Sequence, residues 1–104
     1  MADTLRKQPA ESRLFDMDFS PRIATGEVLI GTPTVTEKTI DQSTGVKTVS
    51  SDLTIGTATI LLQVAQARIS GGLDGVLYEV TFVVSTSLGN TVEAEGLLLV
   101  QDTV

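Results

Sequence analysis

Val76-Leu77-Tyr78-Glu79-Val80-Thr81-Phe82-Val83-Val84 places Val76, Tyr78, Val80, Phe82 and Val84 two residues apart along nine positions. Successive side chains of a strand point to opposite faces, so this spacing marks a strand with one continuous apolar side. A second stretch, residues 91–100, repeats the pattern with Val92, Ala94, Gly96, Leu98 and Val100 inward and Glu93 and Glu95 outward. The two are close enough to form a hairpin across residues 85–91. A two-residue turn at Gly89-Asn90 sets Val84 against Glu95, an apolar side chain against a carboxylate. A three-residue loop, Leu88-Gly89-Asn90, sets Val84 opposite Ala94, Phe82 opposite Gly96 and Val80 opposite Leu98. The buried face governs register, so the odd-length loop is expected, with the Phe82 ring covering the bare backbone of Gly96.

Working toward the N-terminus, Ser70-Gly71-Gly72-Leu73-Asp74-Gly75 reads as a tight glycine loop. The segment before it is ambiguous. Ile60, Leu61, Val64, Ala65 and Arg68 suit a helical period, whereas Ile60, Leu62 and Val64 suit the inward face of a strand that bends near Ala65–Ala67. The strand agrees with the rest of the chain and is preferred. Leu53-Thr54-Ile55 alternates, and Lys38-Thr39-Ile40 and Val46-Lys47-Thr48-Val49 flank Asp41-Gln42-Ser43-Thr44-Gly45 as a polar hairpin at a sheet edge. Residues 34–50 alternate enough to extend a partner's sheet. Glu27-Val28-Leu29-Ile30 opens a strand that resumes at Thr34-Val35-Thr36, Pro33 demanding an edge or a bulge. Phe15, Met17 and Phe19 alternate with Asp16 and Asp18 until Ser20-Pro21 ends the run. Residues 1–12 are polar, contain Pro9 and have no period; they read as an extended arm outside the core that orders against an adjacent subunit.

Six to eight short strands with turns about every ten residues predict an all-β fold. An immunoglobulin-like β-sandwich spanning residues 13–104, preceded by the extended N-terminal arm of residues 1–12, is the most economical architecture. The cysteines and tryptophan of antibody domains are absent, so the likeness is one of architecture.

Composition narrows the function. The 104 residues are 41% apolar and 19% charged, the profile of a folded domain. Without cysteine or histidine there are no disulfides, thiolate nucleophiles, imidazole bases or zinc sites built on either residue. The net charge of −6 and seven scattered basic residues disfavour nucleic acid and anionic membranes as partners. The longest apolar run, Leu97-Leu98-Leu99-Val100, is far below the roughly 20 residues of a membrane helix. Residues 1–7 lack the apolar stretch of a signal peptide, from which synthesis and retention in a cytoplasm-like compartment are expected, unless the chain leaves as part of something larger.

Little in the chain points to chemistry. Asp16 and Asp18 project from one strand face as a calcium site or acid–base pair requires, yet no third ligand or loop glycine follows, and a solvated face is the simpler reading. The Gly71–Gly75 loop lacks the Lys-Ser/Thr of a phosphate loop and leads into a strand. Glu93 and Glu95 read as solubilising. Serines have no histidine and no S-x-x-K lysine to activate them. No catalytic, cofactor-binding or metal-binding residues are expected.

With the strands placed, the chain resembles a family of tailed-bacteriophage fiber–tail adaptor, or neck-region, structural proteins. Lys7-Gln8-Pro9-Ala10-Glu11-Ser12-Arg13-Leu14-Phe15-Asp16-Met17-Asp18-Phe19-Ser20 resembles the family's opening, Asp18-Phe19-Ser20 matching its Asp-aromatic-Ser signature with Phe for the commoner Trp. Leu53-Thr54-Ile55 is similar to its central strand, and Ser70-Gly71-Gly72-Leu73-Asp74-Gly75-Val76-Leu77-Tyr78 to its Ser-Gly-Gly-x-x-Gly-x-x-Tyr turn. Ser87-Leu88-Gly89-Asn90-Thr91 fits the closing hairpin, and residues 37–52 depart as a longer polar excursion. The resemblance spans residues 7–100. It implies a sandwich made in the host bacterial cytoplasm and assembled into the virion at the neck or tail. There, many copies in a symmetric ring bridge tail or portal-region ring proteins to fibers, with no cofactor. A capsid decoration protein and a carbohydrate-binding module are the alternatives. The latter normally uses exposed aromatics, whereas Phe15, Phe19, Tyr78 and Phe82 all read as core.

Overall fold

A computed structural model describes residues 4–102 as an all-β structure of two sheets. The strands are β1 (Thr4–Lys7), β2 (Ser12–Asp18), β3 (Leu29–Ile40), β4 (Lys47–Val49), β5 (Leu53–Ile55), β6 (Thr59–Leu61), β7 (Val64–Gly71), β8 (Val76–Thr86) and β9 (Thr91–Val100). A single 3-10 turn, Ser20–Arg22, follows β2 with Pro21 near its start, where a missing N–H costs nothing. One sheet has the order β1-β9-β8-β3-β4; in the other β2 pairs with one edge of β7, and β5 and β6 share its opposite edge.

The alternation of β8 and β9 fills the space between the sheets. Tyr78, Val80, Phe82, Val84, Ala94, Leu98 and Val100 meet Phe15, Ala65, Ala67 and Ile69 of the second sheet in one apolar core. Small alanines on β7 sit in the same core as the large rings of Phe82 and Tyr78, an arrangement that keeps a thin interior close-packed.

The hairpin register corrects the expectation. Phe82 faces Ala94, Val84 faces Val92, and Gly96 lies opposite Val80. The loop has the expected three residues but starts one residue earlier, at Ser87-Leu88-Gly89, closed by Thr86 N–H to the Asn90 carbonyl at 2.8 Å, with Gly89 at φ +82°. Sliding the pair by two residues keeps every apolar residue inward, so alternation cannot distinguish the two registers. A long-range anchor does: the Glu27 carboxylate accepts from the buried Thr86 hydroxyl on one side of the loop and from the Asn90 amide at 3.0 Å on the other, and Asn90 N–H donates to the Thr86 hydroxyl at 3.2 Å.

Within residues 58–69 the preferred strand reading holds for Thr59–Leu61 and from Val64 onward, but the two strands turn back on each other. Leu61 pairs with Val64 across a Leu62-Gln63 turn, so Leu62 is exposed instead of inward and the buried residues are Ala65, Ala67 and Ile69. Leu62 has a left-handed backbone, φ +54°, held because its carbonyl accepts Leu29 N–H at 3.0 Å and the Gln63 carbonyl accepts Phe19 N–H at 2.9 Å. Asparagine tolerates this conformation better than leucine, and the side chain buries little. Leu62→Asn is therefore expected to raise stability by about 0.5–1 kcal/mol, read as a higher urea midpoint at constant slope.

The N-terminal segment also departs from the reading of an arm outside the core. Thr4–Lys7 lies parallel to β9, pairing Thr4 with Leu97 through Lys7 with Val100. Lys7 is buried, its ammonium donating to the Gln8 carbonyl at 2.7 Å and the Pro9 carbonyl at 3.3 Å, and Gln101 N–H returns to the Lys7 carbonyl at 2.9 Å. The β9 partners and Gln101 lie far along the chain, so no local period announces the strand. Residues 1–3 of the expected arm lie outside the described residues.

The strands number nine among the described residues against the expected six to eight, and the strand expected to open at Glu27 begins at Leu29. Phe15 and Phe19 are buried and Met17 half-buried. Opposite β8, Gly31, Thr32 and Pro33 together face Val84 alone, the bulge Pro33 requires. Lys38–Ile40 and Lys47–Val49 form the polar hairpin at the sheet edge.

Candidate assembly surface

Of the strand edges left unpaired among the described residues, two lie side by side. β1 covers β9 only from Leu97 onward, so Thr91–Gly96 has no strand on its outer side among the described residues. Among the described residues β2 pairs only with β7, so no strand lies on its other edge along Ser12–Asp18. Between them runs a groove of about 750 Å³ bordered by Asp16, Met17, Asp18, Arg22, Glu79, Glu95 and Leu97. Below it an apolar cavity of about 30 Å³ reaches between the sheets, walled by Leu5, Phe15, Met17, Val80, Phe82 and Gly96. The missing side chain at Gly96 shapes this seam. A Cβ there would stand 3.5 Å from the Met17 Cε atom.

The carboxylates singled out in the sequence lie here. Asp16 and Asp18 are exposed on β2, and Glu93 and Glu95 are exposed on the outward face of β9. Asp18 caps the following turn by accepting Ser20 N–H at 2.9 Å, which holds its carboxyl below the ordinary range. Among the described residues no three such side chains gather as a metal cage, and no helix is long and apolar enough to cross a membrane. The Gly71–Gly75 loop closes β7 onto β8, where Val76 N–H donates to the Leu73 carbonyl at 3.2 Å.

The structure adds three polar anchors that alternation could not reveal, because each joins distant segments. Glu27 is buried, with its carboxylate accepting from the Thr86 hydroxyl, from Ala24 N–H at 2.8 Å and from the Asn90 amide at 3.0 Å. Glu37 accepts Leu53 N–H at 3.1 Å and the Ser50 hydroxyl at 2.7 Å, fastening β3 to β5 across the sheets. The Tyr78 hydroxyl accepts Leu73 N–H at 2.9 Å and donates to Asp52 at 3.0 Å, and burial pushes its pKa up.

Hydrogen bonds from Thr86 first, then Ala24 and Asn90, hold the Glu27 carboxyl below its ordinary value of 4.5. A carboxyl with a depressed folded pKa contributes stability above its unfolded pKa and loses it as pH falls through the folded value. Glu27→Gln should therefore melt at lower temperature than the parent near neutral pH. The gap should narrow as melts are taken from about pH 6 down to about pH 3. A constant gap would show that the ionised form contributes nothing.

The fold and its open-sided groove define a small β-sandwich whose accessible features are edges and a docking-sized groove. The family model of the podophage GP4 fiber-tail adaptor protein gp77 matches residues 7–99. The chain belongs to this family of phage tail structural proteins. No curated protein and no solved structure matches it.

Proposed function

We propose that the chain is a virion structural protein at the neck or tail that links tail or portal-region ring proteins to fibers, present in many copies around a symmetric ring. The observation that carries this reading is the family match over residues 7–99. Small domains repeated on a ring can bind weakly per copy and firmly together, because every contact after the first is intramolecular. The role needs no catalysis, cofactor or metal, and neither nucleic acid nor membrane is a partner. In this reading residues 13–104 are the sandwich body and residues 1–12 its arm, with Thr4–Lys7 resting on β9.

The body is immunoglobulin-like. The order β9-β8-β3-β4 in one sheet and β2-β7-β5 in the other corresponds to G-F-C-C′ and B-E-D of a variable-type sandwich, which supports the assignment. Further support comes from Tyr78, near the start of the strand equivalent to F, whose hydroxyl bonds the backbone five residues upstream as in a tyrosine corner.

Cryo-electron microscopy of the intact particle, with an antibody fragment marking this chain, tests the proposal. Density in a ring between tail and fibers is expected. Density on capsid faces, or absence from the particle, would overturn it.

A further inference from the structure

We infer that the outer face of β9, β8 and β3, centred on Leu77, Leu97, Leu99 and Ile40, packs against an apolar, acidic surface of a different virion protein. The inference rests on the adaptor reading and names where one partner is held. Its first support is in the residue order. A strand with one solvated face alternates, whereas an unbroken apolar run marks a strand covered on both faces. β9 does both: its first half carries Glu93 and Glu95 outward, and its second half is Leu97-Leu98-Leu99-Val100. Leu98 and Val100 are buried in the core, so Leu97 and Leu99 point to the other side of the sheet. Leu77 does the same beside the buried Tyr78. Register gathers these residues, setting Leu77 between Leu99 on β9 and Ile40 on β3, with Leu97 two residues along from Leu99. The sandwich has two layers, and no described strand lies over this outer face.

Charge selects the occupant. Arg6 pairs with Leu99, Lys47 with Ile40, and Lys38 with Val49, itself 78% exposed. Three of the seven basic residues of a chain at net charge −6 therefore surround one apolar patch. Among the strand residues bordering the leucines Glu79 is the one carboxylate until Glu95, and Lys47 neutralises it at 2.8 Å. Asp41, just past Ile40, is held in its own loop by Ser43. A partner with carboxylates around an apolar centre meets this end of the sheet with opposite charge. A second copy packed face to face on the leucines would instead bring two sets of cations together.

The test uses intact particles and the free full chain. Carbodiimide coupling joins a lysine to a carboxylate in contact with it, and Lys47 with Glu79 is the internal control in both samples. In particles Lys38 is expected to couple to an aspartate or glutamate of a different virion protein. Coupling to a second copy, or to nothing outside its own chain, would overturn the inference. The double variant Leu77→Thr with Leu99→Thr keeps strand-forming residues at two outward positions, and should melt cooperatively while entering particles about tenfold less. Arg6→Gln with Lys38→Gln removes two exposed charges, and should keep the parent's melting temperature while entering particles several-fold less. A defect with the leucine variant alone would overturn the acidic partner. If both variants enter particles as the parent does, the patch is wrong and the adaptor reading survives. If the parent chain is absent from particles, the adaptor reading fails and the inference with it.

Discussion

Phe82→Ala is expected to lower the unfolding free energy by about 3–5 kcal/mol, the range for removing a buried ring from a close-packed core. The ring is 2% exposed and stands between Val35 on β3 and Ala94 on β9, so both neighbours lose contacts when it goes. The chain has only three phenylalanines and one tyrosine, which leaves few large groups to move into the space. A domain of this size has roughly 5–15 kcal/mol of stability in total, so about a fifth or more of it rests on this ring. Phe82 also walls the cavity at the β2–β9 seam, and its removal enlarges that apolar void. Urea unfolding measures the effect. A loss below about 1 kcal/mol would mean that the core around Phe82 collapses freely onto the space.

Gly72→Ala is expected to cost about 2–4 kcal/mol from two separate causes. The backbone there has φ +97°, a conformation that costs an L-residue about 1–2 kcal/mol. An added Cβ would also stand 2.8 Å from Val100 Cγ2 and 3.0 Å from Leu53 Cδ2, both on buried side chains with little room to move. Gly75→Ala separates the causes. Its φ is +81° but the space around it is open, so it should show the backbone cost alone, about 1–2 kcal/mol. Equal losses at the two positions would remove the steric argument and leave only the conformational one.

The candidate surface was partly legible. Asp16, Asp18, Glu93 and Glu95 were visible as outward carboxylates on two strands, because a period of two states which residues share a face. That the two strands border one groove was not visible, since they belong to different sheets and their residues are more than seventy positions apart. Glu27 and Glu37 looked like ordinary strand or turn carboxylates; both are buried because distant N–H and hydroxyl groups converge on them. The positive φ at Leu62 likewise had no local signal, for it is imposed by hydrogen bonds arriving from Leu29 and Phe19.

What residue order alone determined is which side of each strand is apolar, where glycine and proline break the chain, and hence that two β layers enclose the core. It also carried the resemblance to the phage adaptor family that the match over residues 7–99 then established. Tertiary structure decided the rest: the two-residue slip of the β8–β9 hairpin, the fold-back at Leu62-Gln63, and the docking of Thr4–Lys7 on β9. The division has one physical cause. Alternation is a local property and is unchanged by a shift of two, whereas register and edge pairing are set by hydrogen bonds between segments that meet only after the sheets have closed.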